Sequence, residues 1–324
     1  MGHTVFPASG TGAMKSKPPR YVGIPSISQQ PRLGIVKGAS KLDQWCKTNK
    51  LDVVLTSTAT ASAASRMRKL PCPVVYFCHG LHWTAAPRTP LNPIEFAEKL
   101  LLPRTAGVIS MNSEDRKWFD SYAPGKPHLF LKYGIGLDLE EWPYTQRQSL
   151  EEPIRLLWVG AMTRRKRPLD ALKVVQHLGD RGLSVQLDML GTGPLLKEVL
   201  HNAREQKGVQ LHGRTEVLPY LQSAHAVLHT AEWEGLPRVL LEAAAVGRPS
   251  FGYNVKGVRD APGVSVSDSK SSPGTLGDLV ARWADGSLKE PVVRRSDLDW
   301  KMAQDAVLDF LFQTLGDKSR NLIP

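Results

Sequence analysis

Residues 154–190 read IRLLWVGAMTRRKRPLDALKVVQHLGDRGLSVQLDML. The opening IRLLWV is an apolar run broken by one arginine, the pattern of a strand covered on both faces. Leu169, Leu172, Val175 and Leu178 then space one face of a helix, with Pro168 at its start and Gly179 just past its end. VQLDML, residues 185–190, is the next strand. Strand, helix and strand close a βαβ unit, and that alternation builds a parallel sheet.

The same alternation extends both ways. Downstream lie a helix over 195–206 and strands over 209–211, 226–229 and 249–253. Upstream lie strands over 51–55 (LDVVL), 73–78 (PVVYFC) and 107–111, with helices over 59–70, 94–102 and 113–122, the last capped by Ser113. Leu33, Val36, Leu42 and Cys46 mark a further helical face. Residues 2–6 read as a short strand, 8–20 as a Gly/Ser/Lys/Pro-rich loop and 21–25 as an apolar run. Residues 137–153 are acidic, carry Pro143 and Pro153, and have no period, so they are expected to link two domains. The expected architecture is α/β, with two facing Rossmann-like domains of parallel sheets over 1–148 and 149–296. In such sheets ligands bind beyond the carboxyl ends of the strands, here the interdomain cleft. Residues 297–324 contain a helix with Trp300, Ala303, Val307, Phe310 and Leu311 on one face, expected to cross back to the first domain.

Composition narrows the function. A length of 324 residues suits two domains, each with its own core. Lys and Arg number 42 against 31 Asp and Glu, a formal charge of +11 that favours an anionic partner. No zinc-finger, RNA-recognition or helix-turn-helix signature supports nucleic acid as that partner. Cys46, Cys72 and Cys78 are too few and too scattered for a disulfide framework, and read as buried thiols. No stretch approaches the ~20 apolar residues that span a bilayer. The start, MGHTVF, has neither a basic nor an apolar leader region. The expected location is cytoplasmic, with peripheral contact on the inner face of the membrane. Arg66, Arg68, Lys69, Arg88 and Lys99 are candidates for that contact, and a solvated basic face is the equal alternative.

Four places could carry chemistry. In EGLPRVLLEA, residues 234–243, Gly235 permits a tight turn and Pro237 fits the first turn of a helix. Glu234 is then on the loop and Glu242 inside the helix. A helix N-terminus offers free amides and a positive dipole end suited to a diphosphate, and a carboxylate beyond it can accept ribose hydroxyls. Ordinary surface carboxylates flanking a helix start would look the same. In WVGAMTRRKRP, residues 158–168, Arg164, Arg165, Lys166 and Arg167 lie between a strand and a helix, where Lys or Arg can neutralise phosphate oxygens. Gly191-Thr192-Gly193-Pro194 is a glycine turn after a strand, weak evidence alone. His79 ends the strand PVVYFC and precedes a glycine, a place where a satisfied polar group is as common as a functional one.

Residues 234–260, EGLPRVLLEAAAVGRPSFGYNVKGVRD, resemble the donor-binding signature of family-4 retaining glycosyltransferases, which have the two-Rossmann GT-B fold. Glu234 and Glu242 match the family's E-x7-E spacing, and Lys166, six residues after Gly160, matches its Gly-Arg-x-x-x-x-Lys, with Ala161 in place of the arginine. Gly191 to Pro194 match its GxGP turn, and residues 212–217 (HGRTEV) resemble the loop that cradles the base. The HG pair of residues 79–80, within HGLHW, and the stretches ISMNSED (109–115) and GIGLD (134–138) resemble the branch that builds capsule, exopolysaccharide and O-glycan chains on lipid-linked diphosphates. The branch's usual acid near Ala106 is missing, and the loop after Asp260 is short.

The resemblance implies transfer with retention from a nucleotide-diphosphate sugar, a UDP-sugar foremost, to a polysaccharide or undecaprenyl-diphosphate-linked acceptor, with no metal and no cofactor besides the donor. The only Asp-x-Asp, Asp297-Leu298-Asp299, lies in the C-terminal tail. The implied catalytic residues are His79, facing the sugar, Glu234, holding its hydroxyls, and Lys166, at the leaving phosphate. The implied donor-binding set is Gly160, Arg164, Arg165, Lys166, Gly191, Val217, Glu234, Gly235, Leu236, Pro237 and Glu242. GHTVF, residues 2–6, resembles the family's second strand. The first strand, its glycine loop and the first helix are then expected upstream, so the natural gene is expected to start earlier or its product to be impaired. A rival reading is a non-catalytic protein of the same fold that binds a nucleotide sugar as a sensor or partner subunit. Ala161 and the missing elements favour that rival, while Glu234, Glu242, Lys166 and His79 oppose it. A sugar-nucleotide epimerase or a glycogen-type synthase shares the fold.

Overall fold

The computed structural model describes residues 8–9, 22–23, 35–85, 92–150, 153–268 and 270–316. The strand expected over 2–6, Leu33 and Arg88 lie outside them. Two compact units form, residues 1–131 with 304–324, and residues 132–303.

In the first unit β1 (Ala8–Ser9) pairs in parallel with β2 (Val22–Gly23). Then follow α1 (Ile35–Thr48), β3 (Val54–Thr56), α2 (Ala59–Arg66), β4 (Val74–Phe77), α3 (Pro93–Leu101), β5 (Gly107–Ser110), α4 (Ser113–Tyr122) and β6 (His128–Phe130). The sheet β3-β4-β5-β6 is parallel throughout. All residues of β4 and β5 are buried, as expected of strands covered on both faces. Asn112 caps α4, its side chain accepting from the Asp115 N–H at 2.9 Å, so Ser113 is the first helical residue and not the cap.

Arg66 is fully buried. Its Nη1 and Nη2 donate to the two carboxylate oxygens of Glu98 at 2.6 and 2.9 Å, Nη1 also reaches Thr105 Oγ1 at 3.0 Å, and the guanidinium lies over the Tyr76 ring. This corrects the expectation of Arg66 as a surface cation. A forked, hydrogen-bonded pair is the way a buried guanidinium meets its desolvation cost. Lys99 pairs with Glu95 at 2.9 Å, while Arg68 and Lys69 are exposed.

In the second unit come β7 (Ile154–Val159), α5 (Pro168–Asp180), β8 (Val185–Leu190), α6 (Leu196–Ala203), β9 (Val209–Gly213), α7 (Leu218–Ser223), β10 (Ala226–His229), α8 (Arg238–Val246), β11 (Ser250–Tyr253), β12 (Val264–Ser267) and α9 (Pro273–Ala284). The parallel sheet has the order β12-β11-β10-β7-β8-β9. Strand order therefore reverses between β7 and β10, the switch point where α/β sheets open a crevice beyond their carboxyl ends. Trp158, Leu156, Leu187, Val227 and Leu240, each at most 1% exposed, anchor the core. Gly179 lies inside α5 and not past its end, and the left-handed turn falls to Gly182 at φ +82°.

The segment expected as a linker packs on this unit. Leu137 is buried with Leu241, Ala245 and Leu298. The buried Arg248 donates to the carbonyls of Thr145 and Gln222 at 2.7 and 2.8 Å, and Arg295 donates to those of Leu139 and Trp142. The last helix, α10 (Trp300–Leu315), passes into the first unit, where Phe310 is buried against β5 at Gly107.

Glu98→Ala leaves the Arg66 charge buried and alone, and is expected to lower the unfolding free energy by about 3–5 kcal/mol. Urea titration measures this, with Lys47→Ala, at an exposed pair with Asp43, as a control expected to change it by under about 1 kcal/mol.

Candidate functional site

The loops leaving β7, β8 and β9 are stitched together by main-chain bonds. Gly160 N–H donates to Leu190 O at 3.0 Å, Met162 N–H to Thr192 O at 2.9 Å, and Gly191 N–H to Gly213 O at 2.6 Å. The closeness dictates glycine. A Cβ at Gly191 (φ +134°) would stand 1.9 Å from Gly160 O, and one at Gly193 (φ +156°) 2.6 Å from Met162 O. The turn read as weak evidence is thus the brace that shapes the loop carrying the basic residues. Between these loops opens a hollow of about 340 Å³, bordered by Gly160, Gly191, Thr192, Arg214 and Val217. Small-ligand sites begin at about this size. Its rim includes the loop read as a base cradle, where His212 Nε2 meets Asp188 Oδ1 at 2.7 Å.

Beyond β7 and β10 a charged cluster assembles. Thr230 Oγ1 accepts from Trp158 Nε1 at 2.9 Å and donates to the carbonyls of Lys166 and Arg167, which fixes the basic loop against the end of β10. Lys166 Nζ contacts Glu234 Oε1, and Arg165 Nη1 lies 2.9 Å from Oε2. Arg165 also donates to Trp233 O at 2.9 Å and lies over the Trp233 ring. Glu234 is 8% exposed. Its N–H donates to Lys256 O at 3.0 Å, and Gly257 (φ +72°) passes so close that a Cβ there would meet Glu234 O at 2.4 Å. Burial alone would push the Glu234 carboxyl up, but His229 and the Lys166 ammonium outweigh it and hold the group at about 2.

Pro237 is the N-cap of α8 and not in its first turn, and no side chain caps this helix start. Gly235 does not adopt a left-handed conformation, so the tight approach here is made by Gly257. Leu236 is partly buried and packs against the core. Glu242 is 8% exposed on α8, with Arg238 Nε at 3.0 Å from Oε1. Burial raises its pKa against the pull of that exposed arginine. Arg164 is exposed and stands apart from the Glu234 cluster, and Arg167 turns to Asp170 at 2.9 Å. His79 lies in the first unit at the carboxyl end of β4, exposed, its ring stacked on Phe77 at 4.6 Å. The turn after it is held by Leu81 N–H and Thr84 Oγ1 donating to the buried Asp115 carboxylate.

The structure therefore gathers Lys166, Arg165 and Glu234 into one cluster, and Gly160, Gly191 and Val217 around one hollow. Sequence reasoning passed over His229, Lys256 and Gly257. A polar residue ending the strand just before EGLP, and a glycine after a lysine in the motif's tail, were the available signals. Among the described residues no group of three His, Cys, Asp or Glu is placed to hold a metal, and no helix is long and apolar enough to cross a membrane.

The two parallel-sheet units have the GT-B glycosyltransferase fold: the chain superposes on the apo form of the lipopolysaccharide outer core galactosyltransferase WaaB with a TM-score of 0.65, covering 90% of this chain and 84% of that one at 17% identity. Residues 153–281 match the family model described as Glycosyl transferases group 1, so the second unit contains a domain of that family. A glycogen synthase of Mycobacterium tuberculosis is 28% identical over 158 residues, 47% of this chain and 37% of the relative. The UDP-Gal:alpha-D-GlcNAc-diphosphoundecaprenol alpha-1,3-galactosyltransferase of Escherichia coli is 23% identical over 244 residues, 68% of this chain and 62% of the relative. The chain thus spans between 37% and 62% of the length of these curated relatives.

Because Glu234 binds its proton less tightly folded than unfolded, its contribution to stability is complete above about pH 4.5 and is lost as pH falls toward 2. Urea unfolding at pH 6 and pH 3 is expected to show a smaller acid loss for Glu234→Gln than for the parent, by roughly 2 kcal/mol, because a carboxyl held at about 2 is only fractionally protonated at pH 3.

Proposed function

We propose that the protein is a glycosyltransferase that moves a sugar from a nucleotide-diphosphate donor, a UDP-sugar, to a polysaccharide or lipid-linked acceptor with retention at the anomeric carbon. The observation that carries this is the placement of Lys166 and Arg165 beside an uncapped helix start and a nucleoside-sized hollow, at the switch point of a group 1 glycosyltransferase domain. The hollow takes the base, and the family resemblance assigns the ribose hydroxyls to Glu242. The diphosphate lies at the start of α8, next to Gly235, Leu236 and Pro237, whose following amides and helix dipole favour an anion. Breaking the sugar–phosphate bond develops charge on the departing diphosphate. Lys166, as a point charge, and Arg165, as a fork, stabilise that charge where it grows. Arg164, which the resemblance adds to the donor-binding set, is exposed and apart from this cluster and contributes only longer-range positive charge. Glu234, anionic at neutral pH, accepts hydrogen bonds from sugar hydroxyls, and the family resemblance assigns His79 to the donor sugar.

No cofactor or metal enters this reading. Names of relatives support the acceptor class: the Escherichia coli enzyme is named for a diphosphoundecaprenol substrate, and an Erwinia amylovora relative for amylovoran biosynthesis. A cytoplasmic protein resting on the inner membrane face fits a lipid-linked acceptor, with the exposed Arg68 and Lys69 as contacts.

Calorimetric titration with UDP-glucose and UDP-N-acetylglucosamine, followed by turnover with lipid-linked acceptor, tests the reading. Lys166→Ala is expected to cut turnover by about 10²–10³-fold, the loss typical of removing one group that stabilises developing charge. Glu242→Ala is expected to weaken donor binding by roughly tenfold or more, the cost of one charged hydrogen-bond acceptor. Near-native turnover in both variants overturns the site, and binding without turnover shifts the reading to a sugar-nucleotide sensor. The anomeric configuration of the product, read by NMR, decides retention.

A further inference from the structure

His229 ends β10 and is 2% exposed. Its Nε2 makes no hydrogen bond of ordinary length, an uncommon state for a buried polar atom. Nε2 points at Glu234, 3.6 Å from Oε1, just beyond hydrogen-bond length and within reach of a small side-chain rotation. The charged groups that act on the imidazole are Glu234, which attracts a proton to it, and Lys166 and Arg165, which repel one. Burial, with those two cations, holds the resting ring neutral.

The same two cations occupy both oxygens of Glu234. In the free protein the carboxylate thus stands where it satisfies groups that a diphosphate would otherwise claim. A bound diphosphate, with more charge and more oxygens, draws Lys166 and Arg165 toward itself. That leaves a buried carboxylate short of counter-charge, a state a protein avoids. It also removes the repulsion on His229.

We propose that His229 is the positioning residue for Glu234 in the ligand-bound site: it takes one proton from solvent as the anion takes Lys166 and Arg165, and its Nε2–H then donates to Glu234 Oε1. The proposal rests on the reading of Lys166 and Arg165 as diphosphate ligands. One proton enters the protein from water, none passes to substrate, and no covalent bond is made or broken. The carboxylate is thereby held in place for sugar hydroxyls after its resting partners have left. A neutral amide at this position could donate the hydrogen bond but could not supply the missing charge.

Loss of the cations is the trigger, so substitution can replace the ligand. The imidazole Cε1–H of His229, assigned by its disappearance in His229→Asn, is followed by NMR from pH 5 to 8 in the parent, in Lys166→Met and in Lys166→Met/Arg165→Met, all without nucleotide. The parent resonance is expected not to titrate. In either cation-deleted variant it is expected to titrate, with a midpoint at or above the ordinary histidine value of about 6.5. Adding Glu234→Gln to that variant is expected to abolish the titration. A resonance that stays silent in both cation-deleted variants overturns the proposal, as does one that titrates unchanged after Glu234→Gln. Folding of each variant is read from its dispersed methyl spectrum, and the single variant, which keeps Arg165, safeguards the test if the double variant unfolds. No nucleotide is used, so this result is separable from a failure of UDP-sugars to bind.

Discussion

The carboxylate of Glu234, shared between Lys166 and Arg165, joins the two loops that leave the central strands of the second unit. An acid this deeply buried is tolerable only with its charge answered. The answering groups come from a loop 68 residues earlier in the chain, as the bond from Arg165 to Trp233 O records. Breaking these ion pairs would leave the buried carboxylate without its counter-charges, while the basic loop stays tied to the end of β10 through Thr230 and to Trp233 O through Arg165. The interaction is electrostatic at its core, but main-chain geometry determines where it can form. Thr230 fixes the carbonyls of Lys166 and Arg167, and Lys256 and Gly257 fix the backbone of Glu234.

Glycine does the remaining positioning. Gly191, Gly193 and Gly257 each stand where another backbone passes within contact of a would-be Cβ. Their left-handed or extended positive φ values would strain any other residue. Three loops from three strands are thereby pressed into one surface, and the hollow beside the cluster is what remains between them. Around the far end of α8, Arg248 and Arg295 hold the 137–153 segment by its carbonyls, so two more of the chain's many cations serve the fold rather than a ligand. Net charge alone would not have told these arginines from Arg165.

Much of the second unit was legible because its strands are long, apolar and bounded by turn residues. Ile154–Val159 and Val185–Leu190 stand as read. Among the strands passed over, Ala8–Ser9 has only two residues and was read as loop, while His128–Phe130 and Val264–Ser267 are short and only partly buried, and carry too little apolar pattern to register. Helix ends shifted by a few residues: α5 runs on through Gly179 to Asp180 before the left-handed turn at Gly182, and Pro237 occupies the N-cap position of α8 without supplying a capping side chain. Within the site, the glutamates and lysine were visible as residue types at set spacings. Their pairing was not, because it depends on contacts across the sheet that no local pattern encodes. Arg66 shows the same limit. A basic residue ending a helix of small side chains reads as surface, and its partner Glu98 lies 32 residues away.

The most direct test of the account is a crystal structure of the full chain with a UDP-sugar bound. The account predicts the diphosphate at the amino end of α8, with Lys166 Nζ and the Arg165 guanidinium moved from Glu234 onto its oxygens and the uracil in the hollow beside Gly191. A nucleotide bound elsewhere, or a Glu234–Lys166 pair unbroken beneath a bound diphosphate, would contradict it.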